Sequence, residues 1–293
     1  MNLKFLSTLL FILSIHSFAY GQDQKKDTIP GTKGKLDIAP ETKKERRQEK
    51  KLYSLGQFGR ETLLFVKQPV KWKGRDWLKI GAIVAGTALL TTADQPLRDA
   101  TQGNQQYYNS FAVEGGRMYG EPYSIGGVAA LFGIYGLIAK DTAAKKITIE
   151  LLQAGLYSEA LTEVIKIVVG RSRPYTNDGS FTFHPFTLTN EDHHSFPSGH
   201  STSAFALSTV MSRHAKTLTL KILAYVPAGF TLFSRIYQDK HWVSDELLGA
   251  AIGYFVGNWV VDLHGTKRHR INITSVAPVI GISIAVNQVT HAR

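Results

Sequence analysis

Six apolar segments, at 78–93, 124–139, 147–169, 201–211, 218–233 and 247–263, divide the body of this 293-residue chain. Their lengths and their Ala, Gly and Leu content suit helices better than strands. The expected fold class is all-α: an antiparallel helical bundle of about six core helices. The connection 94–123, with Tyr107, Tyr108 and Tyr119, is long enough to cap a pocket or touch a ligand, and reads almost equally well as a plain loop.

Polar residues cluster at the ends of the third to sixth segments, in three short stretches. The first is Lys166 with Arg173-Pro174, the second Pro197-Ser198-Gly199-His200, and the third Ser234-Arg235 followed by His241 and Asp245. An antiparallel bundle brings these ends together. The inventory is three fixed cations, two imidazoles, one carboxylate and a helix-opening turn. Guanidinium forks match the oxygens of a tetrahedral oxyanion and stay charged at any working pH, so Arg173, Arg235 and Lys166 can hold a phosphoryl group. Imidazoles supply a nucleophile and a proton. His241 and Asp245 are four apart, so on a helix they share a face, and a carboxylate bonded to one ring nitrogen leaves the other free as a nucleophile. Pro197-Ser198-Gly199 reads as a helix start, where free amides favour an anion and place His200 beside it.

Taken singly, each stretch has an ordinary reading. Lys166 can be a last-turn cation, Gly170 with Pro174 a helix exit, and His241 with Asp245 a surface pair. Together they do not, because at about one chance in twenty per specified residue so many positions do not fall in order by accident.

The three stretches resemble the type 2 phosphatidic acid phosphatase (PAP2) family, which shares its site with bacterial class A acid phosphatases and vanadium haloperoxidases. The likeness spans roughly 77–264. It implies that His241 attacks phosphorus and forms a phosphohistidine, that Asp245 orients it, and that His200 protonates the leaving oxygen and then helps activate water. It further implies that Lys166, Arg173, Ser198, Gly199 and Arg235 hold the phosphate oxygens, with no metal or other cofactor. Gln238-Asp239-Lys240 depart from the pattern by placing charges where small or apolar residues are expected, which bears on leaving-group preference.

A short basic start, the apolar run 5–19 and Ala19-Tyr20-Gly21 read as a signal peptide cleaved after Gly21. The polar stretch that follows is a linker. The tail alternates apolar and polar residues with β-branched enrichment and reads as one or two strands. The expected order is signal peptide at 1–21, polar basic linker and N-terminal helix at 22–70, PAP2-type domain at 71–265 and β tail at 266–293. The net charge of +11 favours anionic headgroups or phosphorylated substrates over nucleic acid.

Basic clusters following the second, fourth and sixth segments put the site outside the cytoplasm, whereas a cleaved signal peptide inverts every later loop of a six-span protein. A periplasmic or membrane-associated domain removes that conflict, and an integral multi-span protein is the competing expectation. The expected function is metal-independent hydrolysis of a phosphate monoester or diphosphate, on an envelope lipid at the membrane surface. The alternatives are a periplasmic acid phosphatase acting on soluble esters, a vanadium-dependent haloperoxidase, and a non-catalytic anion-binding or membrane-binding protein.

Overall fold

The computed structural model describes residues 54–265. The signal-peptide, linker and β-tail expectations for 1–21, 22–53 and 266–293 lie outside the described residues. Within them the chain is helical, and no strand forms beyond one isolated bridge between Arg171 and Phe183. The helices are α1 (Leu55–Val66), α2 (Gln68–Lys71), α3 (Gly74–Thr91), α4 (Asp94–Gln102), α5 (Phe111–Gly120), α6 (Pro122–Ile138), α7 (Thr142–Val169), α8 (Gly199–His214), α9 (Leu218–Leu223), α10 (Val226–Tyr237) and α11 (Val243–His264).

Local chemistry sets the ends that matter for the site. Ser198 caps α8 by accepting from the Ser201 amide, so the helix opens directly after the Pro-Ser turn. Gly170 closes α7 in the left-handed conformation at φ 60°, and Pro174 leaves Arg173 extended. Two expectations need correction. The fifth apolar segment is two helices, because Pro227 has no amide hydrogen to continue α9 and instead occupies the first turn of α10. The connection 94–123 is not a loop: it folds into α4 and α5, whose polar and Gly-Gly sequences hide them from an apolar-segment search.

The core joins Phe132 of α6, Leu151 of α7, Leu207 of α8 and Val256 of α11, with their buried neighbours. Gly249 and Gly253, one turn apart on α11, are where its backbone meets that of α8; a Cβ at either would collide with the carbonyl of Ser198 or of Thr202. The helix α1, grouped with the linker on sequence grounds, packs on the bundle through Phe65 against Tyr157 and Trp259. Because α8 and α11 begin, and α7 and α10 end, at the same pole, the bundle gathers the three motifs there.

Glu150 and Glu159, which interrupt the third apolar segment, turn inward: Glu150 is fully buried beside His214 and Lys146, and Glu159 accepts from Ser203. Apolar side chains also face outward, among them Leu78, Leu89, Ile138, Leu156 and Phe230. No single helix among the described residues is long and apolar enough to cross a membrane; α5 and α6 pass that test only together, and they are bent by 73°.

Candidate active site

His241 does not lie on a helix face. It precedes α11, and Asp245 occupies the third position of that helix, where its Oδ2 accepts from the Trp242 amide at 2.8 Å. The two side chains meet at 3.8 Å, beyond hydrogen-bond distance. The direct partner of His241 is the Ser195 carbonyl, 2.7 Å from Nδ1. A carbonyl can only accept, so Nδ1 carries the proton and Nε2 keeps its lone pair. Asp245 acts one step back, since its Oδ2 also accepts from the Ser195 hydroxyl at 2.6 Å and so fixes the residue whose carbonyl orients the ring.

Three cations surround this imidazole. Burial first, and then the charges of Arg173, Arg235 and Lys166, hold His241 well below the ordinary imidazole range. The same three charges act on His200, whose pKa burial also lowers. Lys166, in the last turn of α7, pairs with Glu163 at 2.6 Å, and a Cβ on Gly199 would stand 3.2 Å from its ammonium. Arg173 donates to the Glu191 carbonyl at 2.8 Å and lies 3.3 Å from the Glu191 carboxylate. Arg235 is buried; one terminal nitrogen donates to Gln238 at 2.8 Å, and its Nε has no acceptor. His200 Nε2 is likewise buried without a hydrogen-bond partner. Ser198 and Asp245 link the starts of α8 and α11 through a 3.1 Å bond from the Ser198 amide to the Asp245 carbonyl. All eight residues singled out from the sequence therefore lie at one pole of the bundle.

Residues 148–269 match the PAP2 superfamily. An undecaprenyl-diphosphatase of Sulfolobus acidocaldarius is 30% identical over 171 residues, covering 54% of this chain and 75% of that protein. The chain belongs to the PAP2 superfamily. A lipid A 1-phosphatase of Porphyromonas gingivalis is 36% identical over 92 residues, 30% of this chain and 21% of that protein. A decaprenylphosphoryl-5-phosphoribose phosphatase of Mycobacterium tuberculosis is 35% identical over 116 residues, 39% of this chain and 58% of that protein. The chain thus spans about a fifth and somewhat more than half of these last two relatives.

The PAP2 match covers every motif read from the sequence, but not every residue that shapes the site. Arg171, inside the match and 1% exposed, lies between two acids: it donates to Asp245 at 2.6 Å and to Asp94 of α4 at 2.7 Å. Asp94 also accepts from the Ser244 amide and hydroxyl, at 2.9 and 2.6 Å. The signal for Arg171 was its place two residues before Arg173, directly after the helix-ending Gly170; for Asp94 there was none. The divergent Gln238-Asp239-Lys240 run is a set of latches. Gln238 bridges Arg235 and Glu114, Asp239 forms a two-point pair with Arg98 of α4 at 2.7 Å, and Lys240 stacks 4.5 Å from the Tyr175 ring centre. Asp239 and Gln238 therefore bind α4 and α5 to the site.

Glu246, next to Asp245, is buried against the Ser201 hydroxyl, and burial pushes its pKa up to about 8. Because the folded value exceeds the unfolded one, its contribution to stability is complete below about pH 4.5 and is lost as the pH rises toward 8. Glu246→Gln is neutral at every pH and nearly isosteric. Thermal melts from pH 5 to 9 are expected to show the wild type losing stability relative to this variant as the pH rises; parallel curves would contradict the burial argument. Among the described residues no group of three or more His, Asp or Glu side chains is arranged to hold a metal ion.

Proposed function

We propose that this chain is a phosphatase that hydrolyses a phosphate monoester or diphosphate of an envelope lipid through a phosphohistidine at His241. The observation that carries this reading is the buried Arg235 Nε with no acceptor and the buried His200 Nε2 to which no group is aligned as a hydrogen bond, beside a histidine whose Nδ1 proton is fixed. Buried donors without acceptors are costly, and a phosphate oxygen at Arg235 and a leaving oxygen at His200 would satisfy them.

In the first step His241 Nε2 forms a bond to phosphorus as the phosphorus–oxygen bond to the leaving group breaks. The electron pair passes to that oxygen, which takes the proton from His200 Nε2. In the second step His200 accepts a proton from water, the hydroxide oxygen bonds to phosphorus, and the nitrogen–phosphorus electrons return to His241. Lys166, Arg173 and Arg235, with the Gly199 amide at the start of α8, balance charge on the equatorial oxygens. This scheme assigns charge neutralisation to side chains.

Two observations support a lipid substrate at a membrane surface. The relatives are named for lipid A, a decaprenylphosphoryl phosphoribose and undecaprenyl diphosphate. Exposed apolar side chains on α3, α6, α7 and α10 suit contact with acyl chains. Phosphate release from lipid monophosphates, lipid diphosphates and soluble esters, measured in detergent micelles with EDTA, tests the reading. Release from a lipid phosphate that persists in EDTA is the expected result. Release from soluble esters alone would overturn the lipid assignment, and release from no substrate would overturn the phosphatase reading.

A further inference from the structure

The short connection between α5 and α6 carries a carboxylate into the site from outside the PAP2-matched residues. Glu121 Oε1 stands 3.2 Å from His200 Nε2, within ion-pair reach but not aligned as a hydrogen bond. The approach depends on Gly120, where a Cβ would lie 2.9 Å from that of His200. Glu121 is held from behind by Arg117 at 3.3 Å, and Arg117 in turn binds Glu114 at 3.0 Å. Glu114 receives Gln238, which binds Arg235, so a continuous polar chain links the two sides of the pocket.

Such a carboxylate answers a specific difficulty. A general acid must carry a proton, yet His200 is faced by Arg235 of α10, Lys166 of α7, Arg173 and His241, all of which disfavour the imidazolium. The nearby acids Glu159 and Glu246 are each bound to a serine, on α8 as well, and are directed at Lys166 and Arg235. Glu121 is the carboxylate that meets the His200 ring itself.

We propose that Glu121 is a positioning residue for the leaving-group proton: its carboxylate stabilises protonated His200 Nε2 and so makes this PAP2 site effective on poor, alkoxide leaving groups. The inference rests on the phosphatase reading and on His200 as the general acid. An alcohol needs that proton as the phosphorus–oxygen bond breaks, whereas a nitrophenolate leaves without it. The side chain of Glu121 makes no cap bond to α6, so Gln preserves the local fold.

The test compares kcat/KM, which reports transfer to His241, for a long-chain alkyl phosphate and a long-chain nitrophenyl phosphate in the same micelles. Glu121→Gln is expected to lose about 10- to 100-fold on the alkyl ester, within the range of general acid catalysis, and less than about threefold on the nitrophenyl ester. Its alkaline limb should move to lower pH, because removing the anion makes protonated His200 less stable, and Glu121→Asp should recover part of the loss. Equal losses on both esters, or an unmoved alkaline limb, overturn the inference while leaving the phosphatase reading intact. A wild-type chain inactive on both esters overturns the two together.

Discussion

His241→Ala is expected to lower kcat for phosphate release by on the order of 10⁴-fold or more, the scale of removing a covalent nucleophile. The geometry leaves little room for a substitute. Nδ1 is committed to the Ser195 carbonyl, so Nε2 is the nitrogen with a free lone pair, and burial, with the charges of three cations, holds the ring well below the ordinary imidazole range. Denaturing quench of the wild type during turnover should trap acid-labile phosphate on the chain, and the variant should trap none. A variant that still labels, or that retains more than a few per cent of activity, would place the nucleophile elsewhere. The same side chain has a consequence for stability. Its folded pKa lies below the unfolded value of about 6.5, so the unfolded chain binds more protons below that pH and the wild type loses stability there. His241→Ala removes this contribution, and its melting temperature should fall less than that of the wild type between pH 7 and pH 5.

Much of this site was legible in the sequence because its chemistry is carried by residues at fixed separations beside helix ends. Ser198 as a cap, Gly170 as a left-handed stop and Pro174 as a barrier to further helix are local effects, and local effects can be read from a single chain. What stayed hidden depends on contacts across long separations. The spacing of His241 and Asp245 suggested a shared helix face, but the helix starts after His241, and Ser195, 46 residues away, provides the direct bond. Asp94 and Glu121 sit in a stretch whose polar and glycine-rich composition reads as a loop. Folded as α4 and α5, that stretch reaches Arg171, Asp239 and His200. Gln238 and Asp239, in the run read as a departure from the family pattern, are the partners of that added layer.

Arg171→Met is the substitution expected to damage fold and chemistry together. The guanidinium is buried between Asp94 and Asp245, each fully buried, and also donates to the Ser180 carbonyl and the Ser244 hydroxyl. Burial raises the pKa of both acids, opposed by Arg171 and by hydrogen bonds from serines or backbone amides. Without the cation, two carboxylates must be accommodated in a site that water does not reach. Breaking a buried pair in this way costs about 3–5 kcal/mol, or a fall in melting temperature of roughly 10 °C for a domain of this size. Phosphate release should fall at least about 100-fold, since Asp245 fixes the serine that orients His241. The double variant Arg171→Met/Asp94→Asn separates the two effects. Neutralising Asp94 removes one uncompensated charge, so part of the lost melting temperature should return. Activity should not return, because Asp245 still lacks its guanidinium. Recovery of both would make Arg171 a purely structural residue, whereas recovery of stability alone would make the Arg171–Asp245 contact the route by which the guanidinium positions the nucleophile.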